Sequence, residues 1–247
     1  MTYVMSDIHG NKRRFDSVMQ QISMTPDDTL YILGDVIDRF PDGIRILRQI
    51  MKMPNVKMLL GNHEHMMLAA LGYPYNSNNA DGVQDQEYLR MWYRNGGKPT
   101  HFHLKHIRKE LRRDIFDYLR ALPLSFSVNV NDIKYKLVHA APPELFSYFT
   151  SEYEDEVEFA VWHRWDDSIL VTDDSIVVFG HTPTISYQQC NPLEVLFADQ
   201  CIDIDCGSGY AEAVKISKSS FQGRLACIRL DDMRVFYSEE NSVQSDE

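Results

Sequence analysis

The chain has 247 residues, 44% of them apolar and 25% charged, and a formal net charge of −11 at pH 7. These are ordinary values for a globular protein able to bury a sizeable core, and the acidic balance argues against a nucleic-acid or anionic-membrane partner. No apolar run approaches the roughly 18 residues of a membrane span, there is no signal-peptide pattern at the start, and the four cysteines (Cys190, Cys201, Cys206 and Cys227) form no Cys-x-x-Cys pair, which points to a reducing, cytoplasmic setting.

Tyr3 to Met5 reads as a first strand. Lys12 to Ile22 follows with apolar residues at Phe15, Val18, Met19 and Ile22, which is helical spacing. Thr29 to Leu33 is an apolar run too short for a helix and reads as a buried strand. Asp42 is placed to cap the next helix, where Ile44, Leu47, Ile50 and Met51 repeat at the helical period. Val56 to Leu60 is the third strand, and a further helix starts at His63. This β-α-β-α-β-α order implies parallel strands with right-handed crossovers. Residues 73–85 are rich in Asn, Gly, Pro and Ser and read as a loop. Residues 86–122 are helical and highly charged, so 73–122 is expected to form a helical cap insertion beside the mouth of the site.

From Ser125 the pattern changes to β. Ser125 to Val130 and Ile133 to Val138 alternate around Asn131-Asp132, a hairpin signal. Further strands are expected at Ile176 to Phe179, Gln200 to Ile204, Leu225 to Leu230 and Met233 to Tyr237. The predicted fold is α/β: one domain over residues 1–247, with two packed mixed sheets flanked by helices. Residues 238–247 are expected to fray as a flexible acidic tail.

Chemistry-bearing residues gather where these strands end. Asp7-Ile8-His9-Gly10-Asn11, Gly34-Asp35-Val36-Ile37-Asp38-Arg39 and Gly61-Asn62-His63-Glu64 each follow a predicted strand, and His139 and His181 close two later apolar runs. Open α/β sheets bind ligands at the carboxyl ends of their strands. Carboxylates and imidazoles together suit Mn²⁺, Fe or Zn²⁺, and one carboxylate can bridge two cations roughly 3.5–4 Å apart. Any one of these motifs alone is ordinary turn chemistry; their succession, each after a strand, is what points to a two-metal site.

Together the motifs resemble the calcineurin-like metallophosphoesterases. The Asp38-Arg39 and His63-Glu64 details are most similar to the bacterial and phage members of the phosphoprotein phosphatase branch. The resemblance implies that Asp7, His9 and Asp35 hold one divalent ion, and that Asp35 bridges to a second held by Asn62, His139 and His181. It implies that His63, oriented by Asp38, protonates the leaving alkoxide, and that Arg39 and Asn62 contact the phosphoryl group. Arg164, in Val161-Trp162-His163-Arg164-Trp165, is a second candidate phosphate clamp, and Tyr210 a candidate for the rim. Two departures stand out: Phe40 follows Arg39 where the family usually has Gly, and Ala140-Ala141 follow His139.

The implied activity is phosphomonoester hydrolysis, in line, by water activated at the metal pair, with phosphoserine and phosphothreonine in proteins as substrates. Symmetrical hydrolysis of a dinucleoside polyphosphate such as diadenosine tetraphosphate is the alternative. The basic run Lys105, Arg108, Lys109, Arg112 and Arg113 keeps it open, although a solvated helix face accounts for that run as well. A non-catalytic, metal-stabilised interaction module would be expected to lack a ligand or the acid, and none is missing. His65, His101, His103, His106 and His163 lack a second strand-end partner, and Thr100-His101-Phe102-His103 with His106 reads as a bland surface rather than a metal site.

Overall fold

The sheet topology follows from the order of the first three strands. A computed structural model describes residues 1–75, 82–165, 174–188, 191–216 and 219–239. Its first half runs β1 (Thr2–Met5), α1 (Lys12–Ile22), β2 (Thr29–Ile32), α2 (Gly43–Ile50), β3 (Val56–Met58) and α3 (Asn62–Ala70), followed by α4 (Gln86–Arg94), α5 (Lys98–Lys105) and α6 (Lys109–Arg120). The second half runs β4 (Ser125–Val130), β5 (Ile133–Val138), α7 (Glu156–Trp162), β6 (Ile176–Phe179), β7 (Leu196–Phe197), β8 (Cys201–Asp203), β9 (Val214–Ile216), β10 (Ser219–Phe221), β11 (Ala226–Arg229) and β12 (Arg234–Tyr237).

One five-stranded sheet has the order β12-β11-β1-β2-β3, the other β4-β5-β6-β8-β7. Both are mixed: β1, β2 and β3 are parallel while β11 joins β1 antiparallel, and β5, β6 and β8 are parallel between antiparallel edges. Alternation along β1 shows how the layers form. Tyr3 and Met5 face the core shared with the helices, whereas Val4 joins Leu33, Leu137, Val178, Ile202 and Ile228 between the sheets. The cap helices share the helical core, since Trp92, Leu104, Ile115, Phe116 and Leu119 pack in the cluster that holds Met5, Ile32 and Leu60.

The differences from the sequence reading have local causes. Asp42 precedes α2 but makes no capping bond; its φ of −94° and ψ of 10° are not the extended geometry that points a cap side chain at the helix. Helix α7 was hidden in the acidic run 152–158. Asp155 caps it by accepting from the Glu158 amide at 2.8 Å, and Phe159, Ala160 and Val161 are buried. The short strands β7, β9 and β10 were not expected; among the described residues β9 and β10 form a two-stranded sheet of their own. The tail begins later than Ser238: that residue is buried and exchanges hydrogen bonds with Leu225, and the Glu239 amide donates to Ser17 Oγ. Residues 240–247 lie outside the described residues.

Candidate active site

Parallel strands deliver their carboxyl ends to one edge, and that edge holds the motif residues. Asp7 follows β1, Asp35 follows β2, Asn62 opens α3 after β3, His139 follows β5 and His181 follows β6. The backbone there is unusual. Asp7, His9, Asp35, Asp38, Arg39 and His181 all have φ between +52° and +71°, a region that costs a non-glycine residue about 1–3 kcal/mol. Hydrogen bonds hold the strained loops: His9 N donates to Asp35 O at 2.9 Å, and Gly10 N to Val36 O at 2.7 Å. Buried Glu64 accepts from the amides of Asp35 and Val36 at 2.9 Å and of Ile37 at 3.3 Å, fixing the second turn. Close approach also explains Gly180, where a Cβ would stand 2.3 Å from Asp7 Oδ2.

Two donor groups share Asp35: His9, Asp35 and His63 form one, and Asp35, His139 and His181 the other. Within each, the ligand atoms lie within 4.8 Å of one another. Asp7 was expected in the first group and stands beside it, its Oδ1 at 3.6 Å from His9 Nε2. His63 joins that group because its Nε2 reaches 3.8 Å from Asp35 Oδ2. Its Nδ1 is bonded to Asp38 Oδ2 at 2.7 Å, so one nitrogen is anchored while the other faces the donor cluster.

The donor set fits divalent cations. His139 Nδ1 donates to the Leu33 carbonyl at 2.8 Å, which leaves Nε2 with a lone pair. That lone pair faces Asn62 Oδ1 at 3.1 Å, and His181 Nδ1 faces the same oxygen at 3.2 Å. Turned over, the Asn62 amide donates to both rings and to Asp35; a cation between the rings would favour the oxygen-inward orientation instead. Asp7 Oδ1 and His181 Nε2 are buried without a hydrogen-bond partner among the described residues. Burial, reinforced by the Arg39 guanidinium, pushes His9 down to about 3, and burial also lowers His139 and His181, so the imidazoles are neutral donors. Burial pushes Asp35 well above the usual carboxylate range, with Asp7 and Glu64 adding to the rise, and pushes Glu64 up to about 7. Asp7 is also opposed by burial, but contact with His9 and the field of His139 hold it below its ordinary value.

Arg39 and Arg164 are exposed. Arg39 follows Asp38, and its amide donates to Gly96 O at 3.0 Å. Arg164 lies just beyond α7, and its charge is felt at His181 and Tyr210. Tyr210 also senses Asp205 and Arg39, and its backbone carbonyl accepts from Arg14 at 3.3 Å.

Several site residues were not foreseen. The indole N–H of Trp92, fully buried in α4, donates to Asp38 Oδ2 at 2.7 Å, the same oxygen that holds His63. Thr100 Oγ1 accepts from the Asp38 amide at 3.0 Å. Nothing in the local sequence marks Trp92, whose partner is 54 residues away. Asp203 and Asp205, at the end of β8, are buried, and burial raises both well above the usual range. Their only sequence signal was acidic spacing after an apolar run.

This shared carboxylate between imidazole groups, at the ends of parallel strands in a double-sheet sandwich, forms a candidate centre for two metal ions. The chain belongs to the calcineurin-like phosphoesterase family, whose pattern matches residues 2–203. Symmetrical bis(5'-nucleosyl)-tetraphosphatases from Salmonella paratyphi B and Salmonella typhimurium are 39% identical to it over 70 residues, which is 28% of this chain and 25% of theirs. The matched segment therefore spans about a quarter of the length of these curated relatives. Among solved structures, a metallophosphoesterase from Sphaerobacter thermophilus covers 96% of the chain and 86% of its own, with a TM-score of 0.55 and 17% identity. A cold-active protein-tyrosine phosphatase of Shewanella covers 96% and 80%, at 0.53 and 16%. A protein serine/threonine phosphatase from Saccharomyces cerevisiae covers 98% and 80%, at 0.53 and 13%. At these identities the likeness is one of fold.

Proposed function

We propose that this chain is a di-metal phosphomonoesterase acting on phosphoserine and phosphothreonine in proteins. The observation that carries the reading is the junction of Asp35, shared by both donor groups, with the Asp38–His63 pair 2.7 Å apart beside it. Asp7, His9 and Asp35 would hold one divalent ion, and Asp35, Asn62, His139 and His181 the other; Mn²⁺ suits the set best, and Fe or Zn²⁺ also suit it. Such a pair, when bound, lowers the pKa of water and neutralises phosphoryl oxygens.

The protein's own groups do the rest. Arg39 and Arg164 bind the non-bridging oxygens, where a guanidinium fork matches two of them, and Asn62 contacts the same group. Water forms the new P–O bond in line as the ester P–O bond breaks. His63 Nε2 gives its proton to the departing alkoxide, while Asp38 Oδ2 keeps Nδ1 protonated and the ring oriented. The buried free thiols Cys201, Cys206 and Cys227 support a cytoplasmic, reducing location; Cys190 lies outside the described residues.

A second reading, symmetrical hydrolysis of a dinucleoside polyphosphate, draws on the similarity to the tetraphosphatases and on the basic cap. Its leaving group is itself a phosphate and needs little protonation, so His63 would matter less. Turnover of a phosphoserine peptide, an aryl phosphate and diadenosine tetraphosphate by the Mn²⁺-loaded enzyme separates the cases. Efficient peptide turnover that collapses in His63→Asn supports the first reading. Exclusive turnover of the dinucleotide replaces it with the second, and no turnover of any substrate refutes both.

A further inference from the structure

The cap has the opposite charge to the molecule. Residues 86–122 contain nine of the chain's 25 Lys/Arg but only four of its 36 Asp/Glu. Four of those cations, Lys105, Lys109, Arg112 and Arg113, line a cavity of about 510 Å³ with Tyr73 and Phe116. The two aromatic rings pack with centroids 4.5 Å apart. Glu110 is on the same wall, yet none of the four cations forms an ion pair with it or with any other carboxylate among the described residues.

This arrangement carries a modest cost that a bound anion would remove. Lys109 and Arg113 lie four residues apart on α6 and repel each other. Arg108 to Arg113 crowd the first turn and a half of that helix, where the macrodipole is positive and acidic residues are the favoured ones. An acidic chain with many carboxylates to spare has placed only Glu110 in this turn. The positive field also reaches into the wall: His101, which lines the cavity, is pushed below its ordinary value by burial and then by Lys105 and Arg112.

We propose that this cavity is a binding site, separate from the metal centre, for a small polyphosphorylated molecule of the nucleoside diphosphate class. Its volume is that of small-molecule sites rather than of an open peptide groove. Four cations without a carboxylate partner among the described residues suit two or more phosphates, and the partly exposed Tyr73 ring, backed by buried Phe116, gives an aromatic face beside them. The site lies one ring layer from Trp92, whose ring centroid is 5.4 Å from that of His101.

The test uses the metal-loaded full chain titrated with ADP by calorimetry, with saturating orthophosphate present to occupy the catalytic centre. One ADP should bind. Lys109→Gln/Arg113→Gln should weaken it at least tenfold while leaving aryl phosphate turnover unchanged, and Glu110→Gln should tighten it. Raising salt from 50 to 200 mM should weaken binding to the wild type more than to the double variant. Unchanged ADP affinity in both variants overturns the proposal. So does ADP binding that orthophosphate abolishes, which would belong to the metal centre, or binding of a poly-glutamate peptide but not of ADP, which would make the surface a peptide site. The titration needs no turnover, so failure of the phosphatase reading would appear separately, as an inert enzyme that still binds ADP.

Discussion

The strand-end centre and the cap handle charge in opposite ways. At the centre, Asp7, Asp35, Asp38 and Glu64 are buried, and each is tied to backbone amides, imidazoles or an indole. In the cap, Lys105, Lys109, Arg112 and Arg113 have no carboxylate partner among the described residues, and all but Arg112 are exposed. Buried charge survives only when it is paired or bonded; exposed like charge survives at a modest cost because water screens it. The centre is therefore over-determined and the cap under-determined. Substitutions at the centre should abolish chemistry, those at the cap residues that brace Asp38 should tune it, and those at the cap cations should leave it unchanged.

The largest expected effect is that of Asp35→Asn. Losing a residue that merely supports a metal ligand already costs about 10–100-fold in metal affinity or activity, so losing the one carboxylate common to both groups should exceed a hundredfold in kcat. Metal analysis should find fewer than two ions per chain. Two retained ions with near-normal kcat would mean that Asp35 bridges nothing. Next in size is His63→Asn, with a loss of about 10²–10⁴ in kcat on alkyl phosphates, a much smaller loss on an aryl phosphate, and unchanged metal content. Because His63 also stands within reach of Asp35, metal loss in this variant would make it a ligand and remove it from the acid role.

The same contrast governs what the sequence discloses. Asp7, His9, Asp35, Asn62, His63, His139 and His181 were legible because each sits in a short motif at the end of an apolar strand, and parallel topology carries strand ends to one edge. The hairpin Ser125–Val130 with Ile133–Val138 was legible for a similar reason, since its turn and alternation are local. Bracing from the cap was not legible: Trp92 to Asp38 and Thr100 to the Asp38 amide span 54 and 62 residues, and nothing in the local pattern marks them. Helix α7 was obscured by acidic residues that disguised its apolar face. Glu64 was visible as part of a motif, but its grip on three amides depends on the left-handed turn at Asp35, which only the backbone reveals.

Trp92→Phe sharpens the comparison, because it changes a cap side chain that bonds directly to the carboxylate of the buried dyad. The ring volume is largely kept while the N–H to Asp38 Oδ2 is lost, and Asp38 Oδ1 already lacks a partner among the described residues. Support lost from a ligand-orienting partner is worth about tenfold, so kcat on alkyl phosphates should fall by about that factor, with KM and metal content unchanged. The loss should shrink on an aryl phosphate, as for His63→Asn but less steeply. Equal losses on both substrates would reduce Trp92 to packing and leave the dyad independent of the cap.

The smallest expected effect concerns the pH dependence of stability within the cap. His101 is buried, its Nδ1 lies 2.6 Å from the Tyr93 hydroxyl, and burial together with the fields of Lys105 and Arg112 lowers its pKa in the folded state. A histidine with a lowered folded pKa binds more protons when unfolded, so stability declines as pH falls below the ordinary value of about 6.5. Above that value both states are neutral and this residue adds no pH dependence. His101→Gln should therefore lower Tm at pH 7.5, where a neutral hydrogen bond worth about 1 kcal/mol is disturbed, and the gap to the wild type should narrow as pH falls toward 5.5. Metal-loaded protein should be used in the melts, so that the histidines of the centre do not titrate over the same range. A gap that stays constant from pH 7.5 to 5.5 would show that His101 is as free to protonate in the folded cap as in the unfolded chain, and that the cations beside it exert no net field on the wall they line.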